Sequence, residues 1–156
     1  MWPLVPAEFD YEAVGVPRDW PQRLTGFAAH WNKNTHPAWA FDVWFLNLFP
    51  RLERFNAHPG GYATLSFIPT LATMTLGLFA GGVLAGETLA AKRSYGQRVL
   101  LLAAMGAALV ASGWALDFFG ICPNIKRIWT PAFALFSGGI CFIWLAATMQ
   151  PVMGGS

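Results

Sequence analysis

The sequence predicts an all-α integral membrane protein, a helical bundle of three transmembrane helices with an interfacial amphipathic helix in front of them. Three observations carry that expectation. Hydrophobic residues make up 55% of the 156 and charged residues only 12%, about half the charged share of ordinary globular chains. The charge is uneven: no Asp, Glu, Lys or Arg falls between Arg54 and Glu87, between Arg98 and Asp117, or after Arg127. Each of these stretches stays apolar for roughly five turns, where a soluble helix keeps a polar face. The layout that follows is an aromatic-rich segment over 1–61, three spans over 62–149 and a tail over 150–156.

The first span, 62–86, is uncharged and long enough for a hydrocarbon core of about 30 Å. Pro69 inside its first turns predicts a kink or a late helix start. The second, 99–119, continues past Asp117 through Phe118 and Phe119. The third, 128–149, has Pro131 placed for a first helical turn and Pro151 placed as a stop. Gly77-x-x-x-Gly81 and Gly82-x-x-x-Gly86, with Gly106, Gly113, Gly138 and Gly139, predict close helix packing, although glycine is also simply common in membrane helices.

The segment ahead of the spans has too many aromatic residues for a disordered tail. Prolines 3, 6, 17, 21 and 37 divide it. Over 39–55, Phe41, Trp44, Phe45, Leu48, Phe49 and Leu52 form one helical stripe. That stripe, interrupted by Pro50, predicts an amphipathic helix at the membrane surface or against the bundle. Met1-Trp-Pro-Leu-Val-Pro6 lacks the positive start and unbroken apolar core of a signal peptide. It reads instead as the last turn of a preceding span.

Sidedness follows from Lys and Arg in short loops. Lys92, Arg93 and Arg98 outnumber Lys126 and Arg127, which makes the first loop cytoplasmic. The 1–61 segment and the 117–127 loop then share the extracytoplasmic side. Arg51 and Arg54 pull the other way.

The net charge of +2, with no basic–aromatic run, argues against a nucleic-acid partner. Cys122 and Cys141 are too far apart along the chain's third span to pair and read as packing thiols. No GxSxG, HExxH, CxxC or phosphate-binding GxxxxGK[ST] occurs, so no catalytic residue is assigned and no metal site is expected. His30, His36 and His58 lack the i, i+4 spacing of a helical metal pair. Asp117 is an ionisable group near a span end, a functional candidate by its depth. Its simpler reading is a partner for Lys126 or Arg127, or a solvated carboxylate.

The connector from Cys122 to Pro131 is richer. The Lys126–Arg127 pair suits an anionic group or sugar hydroxyls, with Trp129 as a stacking face. Composition alone favours the plainer reading, an interfacial anchor of basic and aromatic residues.

Two stretches shift that balance. Gly60-Gly61-Tyr62, Pro69, Thr73, Gly77 and Gly81 follow the G…T…IP…T…LG…AG span of the heparan-α-glucosaminide N-acetyltransferase-like proteins. Cys122-Pro123-Asn124-Ile125-Lys126-Arg127-Ile128-Trp129-Thr130-Pro131, with Gly138 and Gly139, is similar to that family's P…K..WT…L…G element. The resemblance covers residues 38 to 149 and is nearest to bacterial relatives. It implies a multi-pass protein of the bacterial inner membrane. It also implies acetyl transfer from cytoplasmic acetyl-CoA, a co-substrate and not a bound cofactor, to a carbohydrate amine or hydroxyl on the far side. Asn124, Lys126, Arg127, Trp129 and Thr130 then become acceptor-binding candidates, and Lys92, Arg93 and Arg98 candidates for the CoA phosphates. His58-Pro59-Gly60-Gly61 stands where the family has Asp-Pro-Glu-Gly. The family's catalytic histidine belongs to an N-terminal half with no counterpart here. The expectation is therefore a fragment of such an acyltransferase, inactive alone and partnered by the lipid bilayer and by missing helices of the same protein or a partner subunit. The competing expectation is a small membrane interaction or transport subunit whose glycine notches dock on other helices.

Overall fold

The computed structural model describes residues 9–87 and 92–149. The described chain is helical, with α1 over Pro37–Leu46, α2 over Phe67–Ala85, α3 over Tyr95–Phe118 and α4 over Pro131–Met149. Short 3-10 turns cover Glu12–Val14, Gly26–Trp31 and Thr64–Ser66. The stretches Thr64–Ala85, Tyr95–Phe118 and Pro131–Met149 are each long and apolar enough to cross a membrane. This is the architecture of a multi-pass membrane protein.

Pro69 acts as a late start: a 3-10 turn occupies Thr64–Ser66 and the α-helix begins at Phe67, so the proline sits in the first turn where its missing N–H costs no bond. Gly86 ends α2 in the left-handed region with φ 79°. The Gly82–Gly86 pair is therefore not a packing notch; its second member is a helix terminator of the kind glycine is favoured for. Arg98 completes that end by donating from Nη1 to the Leu84 carbonyl at 3.2 Å. Ser94 and Gln97 open α3 with a reciprocal capping box.

Helices α3 and α4 form an antiparallel pair held by glycine. A Cβ on Gly113 would lie 2.7 Å from the Ala132 carbonyl oxygen and the Phe136 nitrogen. One on Gly139 would lie 2.6 Å from the Gly106 carbonyl oxygen. Backbone meets backbone there, which no side chain permits. Further along the pair, Leu102, Val99, Phe142 and Ala146 are buried together with Ala80 of α2. At the far end the Tyr95 hydroxyl reaches the Met149 sulfur at 3.2 Å. Gly138 receives Leu76 of α2, whereas Gly77 and Gly81 face open space.

The 39–55 helix of the sequence reading is shorter than expected. It stops at Leu46. Asn47 turns its amide onto the chain instead, donating from Nδ2 to the carbonyls of Val43 and Phe55 and accepting from the Phe55 N–H at 2.8 Å. The buried residue of α1 is Asp42, while Trp44 is 60% exposed. The aromatic stripe survives as a ladder, with Phe41 stacked on Phe45 and Phe45 edge-on to Phe49, both at 5.3 Å.

Outside α1 and the short 3-10 turns, residues 9–66 are irregular, and asparagine side chains tie their backbone together. Asn32 accepts from the Leu24 N–H at 2.7 Å and donates back to its carbonyl at 2.9 Å, as a neighbouring strand would. Asn34 donates to the Val14 carbonyl at 2.7 Å. Asp42 takes the Thr64 N–H on both oxygens, at 3.2 and 2.9 Å, and so ties α1 to the start of α2. Tyr11, Val14 and Val16 make a small core, with Trp20 and Trp39 against it. Because α2 leaves this segment, α3 returns and α4 leaves again, the segment shares one end of the bundle with the α3–α4 connector.

Candidate functional site

Where those two parts meet, a cleft of about 360 Å³ opens, within the range of about 300–1,000 Å³ usual for small-molecule sites. One wall is the connector, with Asn124, Lys126 and Arg127. The other comes from the N-terminal segment, with Trp20, Trp31 and Lys33. The sequence reading found the first wall and missed the second. The available signal was the run Trp31-Asn32-Lys33, a cation beside an indole far from any span.

The connector is stiff because Thr130 organises it. The buried Thr130 hydroxyl donates to the Pro123 carbonyl at 2.8 Å, accepts from the Ile125 N–H at 3.1 Å and caps α4 through the Phe133 N–H at 3.3 Å. Trp129 takes a left-handed φ of 52°, uncommon for a bulky residue. Its N–H closes a turn onto the Lys126 carbonyl at 3.1 Å. Its indole N–H donates to Thr73 Oγ1 of α2 at 3.2 Å, and its ring lies edge-on to Phe133. Trp129 and Thr130 are thus occupied in holding the connector to the helices. The stacking face in the cleft belongs to Trp20: the Lys33 ammonium lies 5.2 Å and the Arg127 guanidinium 5.9 Å from its ring centroid. Both are within cation–π range.

Asp117 pairs with neither Lys126 nor Arg127. Its Oδ1 accepts the Asn124 N–H at 3.0 Å and fixes the connector's entry. Burial pushes the Cys122 thiol above its ordinary range, and the Asp117 charge pushes the same way against hydrogen bonds from Ala132 and Thr130. Cys122 therefore stays a protonated thiol rather than a nucleophilic thiolate. Both cysteines are free.

Two of the three histidines serve the backbone, while His30 lies edge-on to Phe27 with its Nδ1 buried and unpartnered. His36 Nδ1 accepts the Trp39 N–H at 3.1 Å as the N-cap of α1, and His58 Nδ1 accepts the Gly60 N–H at 3.0 Å. Burial lowers the His36 pKa to about 4, against the opposing pull of Asp42. Among the described residues no group of three or more His, Cys, Asp or Glu side chains is placed to hold a metal ion.

Lys92 and Arg93 are exposed at the other end of the bundle. Arg98 is turned inward there, donating to the carbonyls of Leu84 and Arg93. Helix α3, with 24 residues, separates this cationic end from the cleft by about 35 Å at 1.5 Å per residue. Compared with family models, curated proteins and solved structures, the chain finds no match. What fold and site define is the class: an all-helical, multi-pass membrane protein with a cation- and tryptophan-lined cleft at one end of its bundle.

Proposed function

We propose that this chain is the acceptor-binding portion of a membrane acyltransferase, moving an acetyl group from cytoplasmic acetyl-CoA to a carbohydrate in the bacterial inner membrane. The observation that carries the reading is the cleft itself. Asn124, Lys126 and Arg127 share it with two tryptophans, a set that suits a sugar ring and its polar substituents. Lys92 and Arg93 stand about 35 Å away along α3, on the side where the charge rule puts acetyl-CoA. Donor and acceptor would thus approach from opposite faces. Transfer breaks the thioester C–S bond and forms a C–N or C–O bond. The acceptor's proton passes through a base to the departing CoA thiol. Among the described residues no histidine or carboxylate lines the cleft, and the reading takes that base from further helices or a partner subunit, with the chain inactive without them.

Labelled acetyl-CoA and labelled glucosamine, titrated separately onto membranes holding the chain, test this. Lys92→Ala with Arg93→Ala should weaken acetyl-CoA retention and spare glucosamine. Arg127→Ala should do the reverse. Retention of acetyl-CoA no greater than in empty membranes would remove the acyltransferase.

One observation favours a second reading. Gly77 and Gly81 face open space, on the same helix as the outward Met74 and Leu78, which are 62% and 79% exposed. That notch suits a partner helix, as in a membrane interaction subunit that binds no acetyl-CoA.

A further inference from the structure

The cleft concentrates positive charge with no carboxylate to answer it; among the described residues Lys33 has only the Gly15 carbonyl as acceptor, at 3.4 Å. Lys33, Lys126 and Arg127 all line it and no carboxylate does. Among the described residues the sole ion pair within 4.0 Å is Arg18–Glu12, outside the cleft. Asp117, next to the connector, is engaged by the Asn124 N–H. Lys33 and Arg127 come from segments 94 residues apart in sequence yet flank the same Trp20 ring. Like charges brought together repel unless an anion lies among them. The local structure makes this convergence deliberate: Asn32 and Asn34 pin the backbone on either side of Lys33, and Thr130 pins the connector that bears Lys126 and Arg127.

Depth narrows the anion. The connector begins beyond the end of α3 at Phe118, and Phe118, Phe119 and Ile121 are 68%, 71% and 54% exposed. Large apolar residues standing outward at a span end mark the bilayer boundary. A cationic cleft at that boundary lies level with lipid phosphates. A phosphate offers several strong acceptor oxygens, which a guanidinium meets as a fork and an ammonium meets as a point charge.

We infer that the cleft binds a phosphate monoester presented at the bilayer surface, with Lys33, Lys126 and Arg127 on the phosphate and Trp20 and Trp31 beside the group it is esterified to. As a statement about the acceptor, this rests on the function proposed above and gives its class: a sugar that carries a phosphate, free or lipid-linked. The binding itself is measured without acetyl-CoA.

The test uses the chain in phosphatidylcholine nanodiscs. Glucosamine 6-phosphate is titrated by calorimetry, and phosphatidic acid, introduced into the discs, is counted by native mass spectrometry. Saturable binding of either is expected, weakened about tenfold or more by Lys33→Ala and by Arg127→Ala and unchanged by Arg54→Ala, an exposed cation outside the cleft. Response to the sugar phosphate alone identifies a soluble ester as the source; response to phosphatidic acid alone identifies a lipid. Circular dichroism and gel filtration confirm that each variant is folded. No saturable binding of either compound, or equal losses in all three variants, would overturn the inference. Phosphate-ester binding that persists where acetyl-CoA is not retained would remove the acyl transfer and leave this site standing.

Discussion

His36 illustrates how a single residue here couples local structure to solution conditions. It is 3% exposed, its Nδ1 caps α1, and capping requires that nitrogen to be unprotonated. The folded pKa of about 4 lies below the ordinary 6.5, so the unfolded chain takes up the proton first as pH falls. The sign is therefore definite: the contribution of neutral His36 is complete above about pH 6.5 and is lost progressively down to about pH 4. At about 1.4 kcal/mol per pKa unit the full loss is about 3 kcal/mol. His36→Asn keeps a capping oxygen and does not titrate. Thermal melting in detergent at pH 7 and pH 4.5 should show the wild type losing more stability on acidification than H36N. Parallel losses in the two proteins would assign the acid sensitivity to carboxylates elsewhere.

At the scale of elements, the glycines divide into three uses that their spacing could not separate. Gly106, Gly113 and Gly139 bring α3 and α4 into backbone contact; Gly86 ends a helix; Gly77 and Gly81 face outward. Gly139→Ala sets a methyl against the Gly106 carbonyl oxygen and the Val110 nitrogen, neither of which can move without parting the helices. The expected cost is about 1–3 kcal/mol, the usual range for overpacking, read as a lowered melting temperature. Gly77→Ala meets no atom and should leave the isolated chain as stable as before or slightly more so, since alanine is the better helix former. A Gly139→Ala protein that melts with the wild type would refute the zipper. The spans themselves were legible because charge avoidance over twenty residues has few alternative explanations. The extent of α1 was not, because the apolar stripe through Leu52 continues past the point where Asn47 captures the Phe55 backbone, and nothing in a hydrophobic period reports such a capture.

Over the whole molecule, half of the cleft was legible and half was not, for a reason of topology. Lys126 and Arg127 stand at a span mouth, where depth is readable from the sequence. Trp20, Trp31 and Lys33 reach the same place only because four asparagines fold an irregular segment back on itself, and single long-range hydrogen bonds leave no periodic trace. The same view shows that the bundle is uneven. Only 11% of the α2 span is buried, against 33% for α4; α2 meets the α3–α4 pair through Ala80, Leu76 and Leu84, and the connector holds it through the Trp129–Thr73 hydrogen bond. Local stability follows buried packing, so α2 should be the first span to open. Hydrogen exchange in detergent should find its amides exchanging about tenfold faster than those of the α3–α4 pair. Trp129→Phe, which removes the indole donor and keeps an aromatic ring, should widen that gap and leave exchange in α3 unchanged, because α3 meets α4 on its glycine face and not through Trp129. Protection of α2 equal to that of α4 would mean that the three spans open as one unit, and that the weak attachment of α2 is no point of separation.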